Sequence, residues 1–194
     1  MSKDYKIGSR GLIKIIKSGG IGVLPTDTLY GIVCSAKNKK SIEQLYELRE
    51  RNLKKPSIIL ISDINDLKFF GIKTDEKTRK ILSRVWPGQI SVILPCEGKK
   101  FAHLHRGTQS LAFRLPQKKD LVNLIKKTGP LIAPSANPEG LLPATTAREA
   151  KDYFEDCVDF YVAGGKLESL PSTIVAIKNG KLSIKRQGGV KIKN

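Results

Sequence analysis

Four cations, Arg49, Arg51, Lys54 and Lys55, crowd into the run RERNLKK at residues 49–55. Arg grips phosphate through a planar fork and Lys acts as a point charge, so Arg49, Arg51 and Lys55 could clamp a triphosphate. On charge alone the run also reads as a solvated face, and cations at a helix end suit the helix dipole. Position favours the clamp, because the run joins a helix end to an apolar strand and closes on Pro56. Ahead of it, Thr26, Asp27, Thr28 and Tyr30 follow an apolar strand, the place where open α/β sheets put ligand contacts. Further on, Leu111, Phe113 and Leu115 alternate with Ala112 and Arg114, which turns Arg114 to the face opposite the large apolar side chains. A buried Arg needs an anionic partner, and a structural carboxylate or a ligand carboxylate would serve. Ser135-Ala136-Asn137 between two prolines reads locally as a plain turn. Ser172-Thr173, and Arg186 before Gln187-Gly188-Gly189, are weak signals taken singly.

Other chemistries find no support in the residues. There is no GxxxxGK[ST] and no GxGxxG opening a helix after a strand, so a nucleotide must be held another way. His103 and His105 are the only histidines, and without a nearby Cys or acidic ligand they read as part of a solvated loop rather than a metal site. Cys34, Cys96 and Cys157 are isolated, with no CxxC pair, and read as core residues in a reducing compartment. No Ser/His/Asp set can be assembled.

The positioning elements follow from periodicity. Leu12, Ile13, Ile15 and Ile16 predict a helix closed by Gly19-Gly20, with strands at 21–24 and 31–35. Ser41 with Gln44 reads as a capping box opening a helix that buries Ile42, Leu45 and Leu48. A strand at 57–61, helices at 63–70 and 74–86, a strand at 90–94, a loop over 97–108 and a strand at 110–116 come next. A helix at 121–127, a short strand at 131–133 and a helix capped by Thr146 and Glu149 complete the middle of the chain. Strands at 160–163, 173–177 and 182–185 end it, with Asn179-Gly180 as a type I′ turn. Strands alternating with helices and then a late hairpin imply an α/β fold: a twisted mixed sheet, parallel and antiparallel, flanked by helices. No internal repeat or linker divides the chain, so residues 6–194 are expected to form a single domain.

With 35 Lys and Arg against 18 Asp and Glu, the net charge of +17 draws polyanions such as nucleotides, RNA or acidic membranes without choosing among them. Aromatics are 6% of the chain and are not interleaved with the basic residues, so a stacking platform for single strands is not evident. The opening MSKDYKIGSRG has no long apolar core and no stretch of 18 apolar residues occurs, so neither a signal peptide nor a membrane span is expected, and a cytoplasmic location is.

PTDTLYG, the basic run ending KKP, WPGQISVILP, SLAFRLP, APSANPEGLLPATT, LPSTIV and IKRQGG occur in order between about Gly20 and Val190. In these seven motifs the chain resembles the YrdC/TsaC type of threonylcarbamoyl-AMP synthase, in its short form without a C-terminal extension. The resemblance implies a YrdC-like fold with a basic concave site. It also implies an enzyme that condenses L-threonine, bicarbonate and ATP into threonylcarbamoyl-AMP and pyrophosphate, the first step of the tRNA threonylcarbamoyladenosine modification. Mg²⁺ would accompany ATP, a threonylcarbamoyl transferase would act downstream, and tRNA is a candidate partner. By position, Arg49, Arg51, Lys55, Ser110, Asn137, Thr145 and Arg186 would bind ATP. Thr28, Arg114, Ser135 and Ser172 would bind threonine, with Arg114 on its carboxylate. No side-chain nucleophile or metal ligand is implied; Arg51, Lys55 and Arg114 would act by positioning and charge. The chain departs from the family pattern at Arg49 (usually Lys), Glu50 (small or neutral), Asn52 (Pro) and Leu60 (often His). A non-catalytic RNA-binding module of the same fold is the rival reading. The carbamoyltransferase of hydrogenase maturation, whose accompanying segments do not occur in this sequence, ranks last.

Overall fold

The computed structural model of the protein describes residues 2–178 and 180–192. In chain order its main elements are β1 (Lys3–Asp4), α1 (Arg10–Lys17), β2 (Gly22–Pro25), β3 (Tyr30–Ser35), α2 (Lys39–Leu48), β4 (Ile58–Leu60), α3 (Glu76–Val85) and β5 (Ile90–Pro95). These are followed by α4 (Ala102–His105), β6 (Ser110–Arg114), α5 (Lys119–Thr128), β7 (Leu131–Ile132), α6 (Ala147–Phe154), β8 (Phe160–Tyr161), β9 (Thr173–Lys178) and β10 (Lys181–Arg186). The strands form one sheet in the order β1-β8-β2-β3-β7-β4-β6-β5-β9-β10. Parallel pairs (β4 with β6, β5 with β9) stand beside antiparallel ones (β2 with β3, β5 with β6), so the sheet is mixed, as expected.

β2 and β3 are buried at every position, which explains why they read as apolar runs rather than alternating ones. One core layer gathers Leu12 and Ile16 of α1 with Leu121, Leu124 and Ile125 of α5 against Leu24, Val33 and Leu60. The other layer packs Ile42 and Leu45 of α2, Phe70, Leu82 and Phe154 against Ile59, Phe113, Val92 and Val175. Those last four come from β4, β6, β5 and β9, and pairing brings Ile59, Phe113, Val92 and Val175 into one row across the sheet. Adjacent residues turn to the opposite face in a parallel row, Ile58, Ala112 and Ile93. The second row is the one the site uses.

Several local expectations are corrected. Asn38, not Ser41, caps α2: its side chain accepts from Ser41 N–H at 3.1 Å, and Ser41 Oγ instead donates to Gly19 O at 2.5 Å. The helix therefore begins two residues before Ser41. The stretch 63–70 is a 3₁₀ helix (Ile64–Phe70) capped by Asp63. The supposed loop at 97–108 contains a short 3₁₀ turn and α4, and His105 is buried rather than solvated. Its Nδ1 accepts from Gly107 N–H at 3.2 Å, so Nε2 carries the proton and donates to Gly98 O at 3.0 Å. Cys34 and Cys96 are core residues, whereas Cys157 is exposed. The expected turn at Asn179-Gly180 falls partly outside the described residues, at Asn179; the strands it joins pair antiparallel, Lys181 opposite Lys178. Among the described residues, no helix is long and apolar enough to cross a membrane.

Candidate active site

A cavity of about 470 Å³ opens over the row Ile58, Ala112, Ile93, with Ile174 of β9 beside it. Its floor is thus sheet, and its walls are the loops that leave the strands. Ser110, Ala112 and Arg114 all line it, which is the alternation of β6 expressed as a surface. Seven of the eleven expected ligand residues line this one space: Thr28, Arg51, Ser110, Arg114, Ser135, Ser172 and Arg186. They come from six separate segments of the chain.

Arg114 is 3% exposed and is held from three directions. Nη1 donates to Thr28 Oγ1 at 3.0 Å, Nη2 to Thr26 Oγ1 at 3.3 Å, and Nη2 lies 3.1 Å from Asp27 Oδ1. Burial lowers this guanidinium from its usual range, and Asp27 opposes the fall. Asp27 is itself fixed: Gln117 N–H donates to its Oδ2 at 3.2 Å, and Gln89 Nε2 donates to its backbone carbonyl at 2.5 Å. The anionic partner that a buried Arg needs is therefore already part of the fold. Arg114 Nε finds no partner. Ser172 donates to or accepts from Ser91 Oγ at 2.9 Å, and its carbonyl accepts from Arg186 Nη2 at 2.8 Å. Gly188 permits this: a Cβ there would overlap the Pro171 carbonyl, so only glycine lets the 186–189 turn pack on 171–173. Ser135 is placed by strand-like pairing of 134–136 with the start of β3, where Ile32 N–H donates to Pro134 O at 3.1 Å and Ala136 N–H to Tyr30 O at 2.8 Å.

The basic run divides. α2 ends in a Schellman-type exit in which Arg51 N–H donates to Tyr46 O at 2.9 Å and Glu50 N–H to Glu47 O at 2.9 Å. Glu50 occupies the left-handed position (φ 49°) that such exits usually give to Gly. That turn delivers Arg51 to the cavity, where Nη2 donates to Pro56 O at 3.0 Å. Arg49 goes the other way. It is 3% exposed, donates from Nε to Asn137 O at 2.9 Å, and reaches Ser135 Oγ and Asn137 Oδ1 at 3.4 Å each. Burial pulls its guanidinium down to about 10, the Arg51 charge adds to the fall, and Glu139 opposes it.

Arg49, Lys55, Asn137 and Thr145 are not among the residues lining the cavity. Asn137 holds the 135–141 turn, its Nδ2 donating to Pro138 O and Leu141 O at 2.8 Å. Lys55 Nζ pairs with Glu139 Oε1 at 2.6 Å, and Asn52 N–H donates to Glu139 Oε2 at 2.6 Å. Those two contacts, Lys55 first, hold the Glu139 carboxyl at about 2. Thr145 donates from its N–H and its hydroxyl to the Glu149 carboxylate, at 2.8 and 2.9 Å. Thr146 caps α6 as expected, but the reciprocal Glu149 contact falls on Thr145. Leu60, at the position noted as a departure, is fully buried and paired in register with Arg114, on the same sheet face as Ile58.

Sequence reasoning found no pairing for Asp27 or Glu139, the carboxylates that hold Arg114 and Lys55. Asp27 had a signal, an acid between two hydroxyls beside a predicted strand end; Glu139 becomes visible only when distant segments meet. Among the described residues no group of three or more His, Cys, Asp or Glu could hold a metal ion. Asp27 and Glu139 are both paired with cations.

The Sua5/YciO/YrdC family model, described as "Telomere recombination", matches residues 14–188. Similar curated proteins include the threonylcarbamoyl-AMP synthase of Bacillus subtilis, 28% identical over 179 residues, which covers 91% of this chain. The chain spans about half (52%) of that relative's length. It spans 98% of the threonylcarbamoyl-AMP synthase of Buchnera aphidicola subsp. Schizaphis graminum, 30% identical over 189 residues and covering 94% of this chain. Among solved structures, P. abyssi Sua5 complexed with L-threonine superposes with a TM-score of 0.85 at 25% identity, over 93% of this chain and 54% of that one. With a match extending over most of its length, the chain belongs to the Sua5/YciO/YrdC family.

Proposed function

We propose that residues 6–194 act as one catalytic unit, an L-threonylcarbamoyladenylate synthase: L-threonine, bicarbonate and ATP enter, and threonylcarbamoyl-AMP and pyrophosphate leave. The observation that carries this reading is the cavity itself, which gathers Arg51, Arg114 and Arg186 with the hydroxyls of Thr28, Ser110, Ser135 and Ser172 over an apolar floor. The names of the curated relatives point the same way. In this chemistry the threonine amine and bicarbonate form a carbamate with loss of water. A carbamate oxygen then attacks the α-phosphorus, a new P–O bond forms, and the bond to the β-phosphate oxygen breaks to release pyrophosphate. Threonine, bicarbonate and triphosphate are all anionic or become so, and the barrier lies mostly in bringing them together against their repulsion. Arginines and hydroxyls suit that task, and no protein nucleophile is required.

Arg114, with Thr28, would receive the threonine carboxylate, Ser135 and Ser172 flanking it. Arg51, Ser110 and Arg186 would meet the nucleotide directly. Arg49 and Asn137 would serve by holding the 135–141 turn, and Lys55 would join the phosphates after leaving Glu139. Thr145 would contribute from the cavity's edge. The paired state of Asp27 and Glu139 means the site offers no carboxylate to a resident cation, so Mg²⁺ would enter as part of the MgATP substrate. The adenylate would pass to a threonylcarbamoyl transferase acting on tRNA; a non-catalytic RNA-binding role does not account for the hydroxyl-lined cavity. The test is pyrophosphate release by the purified protein with MgATP, bicarbonate and threonine, with the adenylate identified by mass. Threonine-dependent release is expected; release indifferent to threonine, or none, would overturn the reading.

A further inference from the structure

One buried cation near the site has no role in that account. Arg106 follows α4 in the left-handed backbone region (φ 52°), with its side chain 11% exposed. Its Nη1 pairs with Glu43 of α2 at 2.9 Å, and its guanidinium carbon stands 4.1 Å from the ring centre of Tyr46. Nε and Nη2 are buried without a hydrogen-bond partner. Idle donors on a desolvated cation are costly, and a cation on an aromatic face offsets part of that cost. A surface ion pair to Glu43 would not require this burial, so the stack has another consequence.

That consequence runs through Tyr46, which is 1% exposed. Its hydroxyl accepts from Ser57 Oγ at 3.1 Å and donates to Lys55 O at 2.8 Å. The same carbonyl accepts from Arg51 Nε at 3.4 Å, and the Arg51 guanidinium carbon lies 5.8 Å from the same ring centre. Tyr46 thus fixes the turn from which Arg51 enters the cavity. On its other side, Arg106 leads through Gly107 (φ 87°) to Thr108, whose hydroxyl donates to His105 O at 2.6 Å. Thr108 and Ser110 line the cavity wall.

We propose that the Arg106–Tyr46 stack is a positioning device for the nucleotide half of the site. It ties the loop bearing Thr108 and Ser110 to the turn bearing Arg51 and so sets the gap that a triphosphate must bridge. This rests on the synthase reading, which makes the bridging anion a nucleotide phosphate. Because the stack touches neither Arg114 nor Ser172, it acts on nucleotide and leaves threonine alone.

The experiment measures ATP and threonine binding separately by calorimetry for wild type, Arg106→Ala, Arg51→Ala and the double variant. Arg106→Ala weakens ATP about tenfold and threonine less than about twofold. In the Arg51→Ala background the same change costs less than about threefold, because Arg106 acts through Arg51. Tyr46→Phe, which keeps the ring and loses the hydroxyl, weakens ATP in the same direction. If Arg106→Ala does not fold, Arg106→Lys, which keeps the charge and loses the planar stack, takes its place in the cycle. Equal tenfold losses in both backgrounds, or threonine weakened in parallel with ATP, overturn the inference alone. Wild-type protein that binds no ATP overturns the synthase reading first.

Discussion

The two halves of the proposed site are built on different terms. Around Arg114, every contact is buried and comes from strand or strand end: Thr26, Asp27 and Thr28 hold a guanidinium whose side chain is 4% exposed against a carboxylate that is 7% exposed. Around Lys55, outside the cavity lining, the corresponding ion pair has side chains 59% and 27% exposed, and both partners ride on turns. The first arrangement is built into the fold and shielded from solvent, where salt screens it little. The second is a clasp in which Glu139 holds Lys55, so in the proposed synthase a nucleotide would have to displace a carboxylate to reach that cation. In the proposed assignment, pre-organisation is concentrated on the threonine side and adjustment on the nucleotide side.

The largest effect should follow from breaking the buried side. Arg114→Ala leaves Asp27 buried without its cation, and the protein should lose about 3–5 kcal/mol of stability by urea unfolding. Arg114→Lys keeps a charge but loses the fork, and threonine binding should fall by about a hundredfold or more. Arg51→Ala, in the looser half, should raise the KM for ATP by roughly 10–100-fold with threonine affinity intact. Glu139→Gln should go the opposite way and lower the KM for ATP about two- to fivefold, because a neutral amide releases Lys55; its stability cost should stay under about 1 kcal/mol.

The same clasp has a pH signature. Lys55 and the Asn52 N–H hold the Glu139 carboxyl at about 2 against an ordinary 4.5. A depressed carboxyl stabilises the fold above its unfolded value and loses that contribution as pH falls toward the folded one. The stability difference between wild type and Glu139→Gln should therefore be constant above about pH 5 and close as pH approaches 2. The smallest expected effect is at Glu50, where replacing a left-handed Glu by Gly should raise stability by up to about 1 kcal/mol without changing threonine binding.

The contrast also explains what could be read in advance. The alternation Leu111, Ala112, Phe113, Arg114 is a local property of one strand, and it turned Arg114 and Ala112 toward a common face, the one that lines the cavity. The mixed sheet followed from apolar runs and their spacing for the same reason. Asp27 as the partner of Arg114 depends on the β2–β3 turn reaching the end of β6, three strands away in the sheet, which no local pattern records. Arg49 looked like its neighbours in a charged run, yet the exit turn of α2 sends it inward to Asn137 and sends Arg51 to the cavity. Asn38 displaced Ser41 as a cap because Ser41 Oγ is engaged by Gly19 O, again a contact between segments. Pairing between distant segments decided each of these, and periodicity could not.

In the proposed synthase the threonine half is preformed and independent of the nucleotide half, and calorimetric titration of threonine into nucleotide-free protein checks this. Saturable binding without ATP, abolished in Arg114→Ala and unchanged in Arg51→Ala, is the predicted result; threonine binding that appears only after ATP is added, or that falls equally in both variants, would contradict it.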